Sequence, residues 1–128
     1  SSFYSNMDKL VGKTTTKFIK GKFIEEKIIA YERGSTFDSC VAILDEAQNL
    51  TVNGLKLFVS RLGENAKMII LGDTDQVDIK LRGGDKSGLD DAFTRFVGIK
   101  GVAFHEFSED DIVRSKILKE VMKRYKNK

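Results

Sequence analysis

The sequence predicts an α/β fold, a parallel β-sheet flanked by helices, and three observations predict it. The apolar run Val41-Ala42-Ile43-Leu44 ends on two adjacent carboxylates, Asp45 and Glu46. A second run, Met68-Ile69-Ile70-Leu71, ends on Gly72 and Asp73. Short continuous apolar runs mark strands buried on both faces, as in parallel sheets, whereas a half-wet strand would alternate. Segments of helical period lie between and after these runs, and strands alternating with helices indicate βαβ units.

Residues 1–26 are polar, basic and weakly patterned, compatible with short helices near Ser5–Leu10 and Lys17–Gly21. Lys27–Tyr31 reads as a first strand and Val41–Leu44 as a second. From Thr51 to Leu62, the apolar residues Leu55, Phe58, Val59 and Leu62 recur on one helical face. Thr51 can cap that helix and Gly63 can stop it. Gly54 stands where a Glu or Gln would complete a capping box. Lys67–Leu71 reads as a third strand and Thr74–Asp85 as a polar loop ending in Gly83-Gly84. Ser87 is placed to cap a helix carrying Leu89, Ala92, Phe93 and Phe96, stopped by Gly98. Val102–Phe107 reads as a fourth strand. Ser108 then caps a last helical stretch with Ile117, Leu118, Val121, Met122 and Tyr125 on its apolar side. No internal repeat, linker or low-complexity segment is visible.

A chain of 128 residues is one domain with room for a real core. Hydrophobic content of 41% and charge of 32% suit a soluble globular protein. The single Cys40 excludes an internal disulfide, and beside a buried strand it reads as a small core hydrophobe rather than a nucleophile. His105 falls on the expected fourth strand and reads as structural. With no signal-peptide pattern and no long apolar run, a cytoplasmic location is expected. A net charge of +3 does not by itself demand nucleic acid. Its distribution is uneven: Arg114 to Lys128 holds seven basic residues and one acid, Glu120. A basic helix can face phosphates, although a solvated Lys-rich face is the plainer reading. No aromatic residues interleave there to stack bases.

Open α/β sheets bind ligands at the carboxyl ends of their strands. Acid clusters at two such ends suggest a Mg²⁺–phosphate site, with Asp45 as the Walker B aspartate of a P-loop NTPase. Asp45-Glu46-Ala47-Gln48-Asn49 followed by Gly72-Asp73-x-x-Gln76 resembles the PhoH family of ATPases, relatives of superfamily-one helicases. The likeness extends to Tyr31-Glu32-Arg33-Gly34-Ser35-Thr36, to Ser87-Gly88-Leu89, to Gly101-Val102-Ala103-Phe104 and to Asp111-Ile112-Val113-Arg114. It covers nearly the whole chain, from about Phe3 to Tyr125.

The resemblance implies a P-loop NTPase-like parallel sheet, with ATP and Mg²⁺ as ligands. Asp45 would hold Mg²⁺ and Glu46 would orient or deprotonate the attacking water. Asp73 and Gln76, on the neighbouring strand, would sense the γ-phosphate. Gln48 would couple the nucleotide to moving parts, and Arg33 would lie on the nucleotide side. Arg114 would reach a γ-phosphate in its own subunit or across an interface. Its plainer reading is an ion pair with Asp110 or Asp111 on one helical face. A ring-like homo-oligomer and a link to RNA or single-stranded nucleic acid are further implications. The chain departs from the family in two places. Ser35 replaces an Arg or Lys, and Ser115-Lys116 replaces His-Pro, so the last helix is expected to run longer and to aim Arg114 differently.

A P-loop has the form G-x-x-x-x-G-K-[ST], whose amides and Lys hold the phosphates. The candidate here is Gly12-Lys13-Thr14, but Met7 stands in place of the first Gly and no apolar strand precedes it. Only 31 residues separate Lys13 from Asp45, too few for the intervening elements of a helicase-like core. Gly12-Lys13-Thr14 therefore reads as a polar loop. Residues 1–128 read as a single partial ATPase domain, the C-terminal part of the core from Walker B onward, inactive without a P-loop. Two alternatives remain. One is a Mg²⁺-dependent nuclease with two ions held by Asp45, Glu46, Asp73 and Asp75, against which Gln76 and the helicase-like order speak. The other is a non-catalytic binding or assembly module. Gly72-Asp73-Thr74-Asp75 is also a good turn sequence unaided, and Asp75 and Asp78 read as plain loop acids.

Overall fold

The computed structural model describes residues 2–27, 34–75, 86–111 and 113–126. Two helices come first, α1 (Ser2–Val11) and α2 (Lys13–Ile19). Strand β1 (Val41–Leu44) leads through a 3₁₀ turn (Ala47–Asn49) into α3 (Val52–Val59), and β2 (Lys67–Ile70) follows. Then come α4 (Gly88–Arg95), a 3₁₀ turn (Glu109–Asp111) and α5 (Lys116–Lys126). β1 and β2 pair in parallel, Val41 opposite Lys67 through Leu44 opposite Ile70. A parallel bridge between Phe37 and Leu62 precedes the ladder. With α3 as the crossover, this is a βαβ unit, and the fold is α/β as the apolar runs predicted.

The core lies between α3, α4 and the first 3₁₀ turn, where Ala47, Leu55, Phe58, Leu89 and Ala92 are buried. Both helices start at the expected caps. The Thr51 hydroxyl accepts from the Gly54 N–H at 3.0 Å, and the Ser87 hydroxyl from the Leu89 N–H at 3.3 Å. In α4, Asp90 and Asp91 occupy the first turn and Arg95 the last, which suits the helix dipole. Gly88 lets the two helices close on each other: a Cβ there would lie 2.6 Å from the Thr51 carbonyl oxygen and 2.9 Å from Leu55 Cβ. α3 stops at Val59, short of Leu62, because Leu62 is drawn into the bridge with Phe37. The Phe37 ring then packs on Phe58, centroids 5.7 Å apart.

Several expectations are corrected. The apolar strands are not buried on both faces. Val41, Ile43 and Ile69 share one face and are 59%, 50% and 39% exposed, while Ala42, Leu44, Met68 and Ile70 on the other are half-buried. A sheet face is buried only where another layer packs on it, and the described residues supply cover for one. Val102–Phe107 is not a strand. A strand exists by pairing, and this segment has no ladder to β1 or β2. Glycines at positive φ, Gly98 and Gly101, turn the chain just before it. Its side chains pack locally instead, Phe104 on Phe93 at 5.1 Å and His105 edge-on to Phe107 at 4.7 Å. Cys40 is exposed, not a core residue. It sits in the loop before β1, where its carbonyl accepts from the Lys67 N–H at 3.0 Å.

The last helix starts later than expected. Ser108 closes a separate turn, donating its N–H and hydroxyl to the Asp111 carboxylate at 2.7 and 2.9 Å. Residues 113–115 are not helical. α5 begins after Ser115, whose hydroxyl accepts from the Leu118 N–H at 3.2 Å. Its apolar side, Ile117, Leu118, Val121, Met122 and Tyr125, is exposed. At the other terminus α1 and α2 pack together, with Tyr4 buried and the Lys20 ammonium 4.3 Å from its ring centroid. Residues 28–31 of the expected first strand lie outside the described residues, and Lys27 is not in a strand. Among the described residues no helix is long and apolar enough to cross a membrane.

Candidate functional site

The two acid-bearing strand ends are adjacent because β1 and β2 are neighbours in register. The ladder carries on past Leu44: the Leu71 N–H donates to the Leu44 carbonyl at 2.8 Å, and the Ala47 N–H to the Leu71 carbonyl at 2.9 Å. Asp45 leaves β1 exposed, and its Oδ1 accepts from the Glu46 N–H at 2.9 Å. Glu46 takes a left-handed backbone, φ 56° and ψ 37°. That conformation costs a non-glycine residue about 1 kcal/mol. It turns the chain at once, so two consecutive carboxylates need not point to opposite sides of the sheet. The 3₁₀ turn follows, closed by the Asn49 N–H on the Glu46 carbonyl at 3.1 Å.

Gln48 is the tie between the segments. It is 1% exposed, and its amide is used at both ends. Nε2 donates to Glu46 Oε2 at 2.6 Å, and Oε1 accepts from the Asp73 N–H at 3.1 Å. Its backbone carbonyl accepts from the Ser87 hydroxyl at 2.9 Å, the same oxygen that caps α4. One residue therefore joins the end of β1, the end of β2 and the start of α4. Gly72 makes room for it: a Cβ at that position would lie 2.7 Å from Gln48 Oε1 and 2.6 Å from Leu89 Cδ2. The exposed Asp73 takes the Asp75 N–H on its Oδ1 at 2.9 Å, so the turn chemistry seen in the sequence is present as well.

The structure thus brings Asp45, Glu46, Gln48 and Asp73 together. Gln76 and Arg33 lie outside the described residues, as does Asp78. Arg114 is exposed, and among the described residues no hydrogen bond or ion pair links it to the acid cluster, to Asp110 or to Asp111. The Asp111 carboxylate is held instead by Ser108, whose N–H and hydroxyl keep it below the usual carboxylate range. Asp91 is likewise held low by its bidentate bond with Arg95, at 2.6 and 3.0 Å. Among the described residues no three His, Cys, Asp or Glu side chains converge on a common metal position. Gly12-Lys13-Thr14 is not the polar loop expected: Gly12 alone separates α1 from α2, at φ 84°, and Lys13 and Thr14 are the first residues of α2. A phosphate-cradling loop joins a strand to a helix.

Sequence reasoning read Ser87 only as a cap and Gln48 only by likeness. The unusual feature was present in the sequence: an amide within two residues of the acid pair, with a glycine at the start of the next acid cluster. Nothing local says that the two meet.

Comparison with known proteins places the chain among relatives of one family. The family described as PhoH-like protein matches residues 1–126. The chain is 40% identical over 118 residues to the PhoH-like protein of Bacillus subtilis, covering 92% of this chain and 36% of that protein. It is 43% identical over 102 residues to Protein PhoH of Escherichia coli K12, covering 80% of this chain and 28% of that one. Against the PhoH-like protein of Synechocystis sp. the identity is 41% over 106 residues, 83% of this chain and 31% of that one. The chain spans about a third of the length of the curated relatives it matches.

Proposed function

Because the chain belongs to the PhoH-like protein family, we propose that it forms the acid-bearing part of a Mg²⁺-dependent ATPase core whose phosphate-binding loop lies outside this sequence. The observation that carries the reading is the acid pair at the carboxyl end of a parallel strand, with Glu46 anchored by Gln48 and Gln48 in turn holding the Asp73 N–H just past the end of the next strand. Asp45 fits the metal role. Its carboxylate is exposed, one oxygen is held by the Glu46 N–H, and it has no other partner among the described residues. A single hard oxygen suits Mg²⁺, which keeps most of its waters and takes few protein ligands. Bound there with ATP, the ion would neutralise charge on the β- and γ-phosphates. Glu46 orients the attacking water and accepts its proton. Asp73 and Gln76 sense the γ-phosphate, Arg33 lines the nucleotide side, and Arg114 supplies charge to the transferring phosphoryl group. The basic stretch from Arg114 to Lys128 supports RNA or single-stranded nucleic acid as a partner. A homo-oligomer would allow Arg114 to act across an interface.

The test is a chimaera in which this chain replaces the matching third of the Bacillus subtilis PhoH-like protein. It is expected to hydrolyse Mg-ATP. Glu46→Gln should keep nucleotide binding and lower turnover at least about 100-fold, the lower bound for a positioned acid–base group. Arg114→Ala should leave folding unchanged and lower turnover by about the same factor or more. Parent-rate hydrolysis by Glu46→Gln would remove Glu46 from the mechanism. Mg²⁺-dependent cleavage of nucleic acid, lost in both Asp45→Asn and Glu46→Gln, would replace this reading with the nuclease. A chimaera that binds no nucleotide would leave an assembly module.

A further inference from the structure

We propose that Gln48 is a positioning residue that aims the Glu46 carboxylate and couples it to the β2 end, without touching the nucleotide itself. The inference rests on the reading of Glu46 as the water-orienting group. Three observations carry it. First, Gln48 is 1% exposed, so its amide cannot meet a ligand without unpacking the turn. Second, the amide orientation follows from its partners. An ionised carboxylate only accepts and a backbone N–H only donates, so Nε2 must face Glu46 and Oε1 must face Asp73. The 2.6 Å contact to Glu46 is a short, charge-assisted bond. Third, Gln48 is itself held from behind. Ser87 donates to its carbonyl, and Gly72 permits close approach of its Oε1. Glu46 has a long, rotatable side chain on an exposed left-handed residue. Among the described residues, Gln48 alone hydrogen-bonds its carboxylate. Removing that bond frees the rotamers of the group that must meet a water.

The discriminating variant is Gln48→Glu. It keeps the side-chain length and the oxygen that accepts from Asp73, but sets a carboxylate against Glu46 where a donor stood. In the chimaera it should lower turnover at least about tenfold while nucleotide KM stays within about twofold, the pattern of a lost transition-state interaction. In a Glu46→Gln background the same change should add no further loss, since the two act as one unit. A second measurement needs no turnover. In the 128-residue chain, the Gln48 side-chain amide protons should be protected from exchange, and one should shift markedly in Glu46→Ala by nuclear magnetic resonance. If the unsubstituted chimaera does not hydrolyse ATP, the reading of Glu46 falls and this inference falls with it. If it does, and Gln48→Glu turns over at the parent rate, the inference alone is overturned. Freely exchanging Gln48 amide protons, indifferent to Glu46→Ala, overturn it as well.

Discussion

Glycine 72 shows how one residue carries two meanings. In the sequence it is the first letter of the Gly72-Asp73-x-x-Gln76 signature. In the structure it is the point where Gln48 Oε1 and Leu89 Cδ2 press against a bare Cα. The missing Cβ follows from packing rather than from backbone freedom, because Gly72 is not among the residues with positive φ. Gly72→Ala should therefore overpack the site and destabilise the chain by about 1–3 kcal/mol. It should also push Gln48 off the Asp73 N–H. Urea denaturation followed by circular dichroism measures the first effect, and a midpoint equal to the parent's would contradict the close approach. Glu46 is the complementary case. Its acid was legible as a catalytic candidate, but its left-handed backbone was not, since Glu has no local preference for that region.

Among the elements, α3 and α4 were legible because their information is local. Thr51 and Ser87 cap them, and Leu55, Phe58, Leu89 and Ala92 repeat at helical spacing. The segment after Gly101 departs from expectation for the opposite reason: Val102–Phe107 has strand-like residues, but strand pairing is non-local, and the segment makes no ladder to β1 or β2 and packs its rings locally instead. The start of α5 was also misread, because Ser108 and Ser115 are both good caps and the acids after Ser108 look like a first helical turn. Instead Asp111 folds back on Ser108. This turn makes a pH prediction. The folded Asp111 carboxyl is held below its unfolded value, by the Ser108 N–H first and the hydroxyl second. Its stabilisation is therefore complete above the unfolded value, near pH 3.9. It is lost as pH falls through the lower folded value. The Ser108 amide proton should follow that titration, with a midpoint below an ordinary aspartate's and no titration in Asp111→Asn. A midpoint at or above the ordinary value would mean the turn does not persist in solution.

At the scale of the whole molecule, the chain is a βαβ unit with an acid cluster at one end and a half-covered sheet. Its relatives are about three times as long. Gly12-Lys13-Thr14 spans the junction of two helices, Gly12 between them and Lys13 and Thr14 opening α2, and presents no strand-to-helix cradle. The 128-residue chain alone should accordingly bind Mg-ATP weakly or not detectably by calorimetry. Micromolar binding abolished by Lys13→Ala would show that this segment holds phosphate after all. The sequence by itself determined the two parallel strands, the two capped helices, the family, and the positions of Asp45, Glu46 and Asp73. Each of these is written in neighbouring residues, as an apolar run, a cap or a short signature. Only the tertiary structure decided that Gln48 is buried, which acid it holds, and that Ser87 and Gly72 brace it. Apart from the bond to Glu46, two positions away, the hydrogen bonds of Gln48 join residues 25 and 39 positions apart. They exist only after β1 and β2 have paired and α4 has closed on α3, and no local pattern encodes which polar groups then meet.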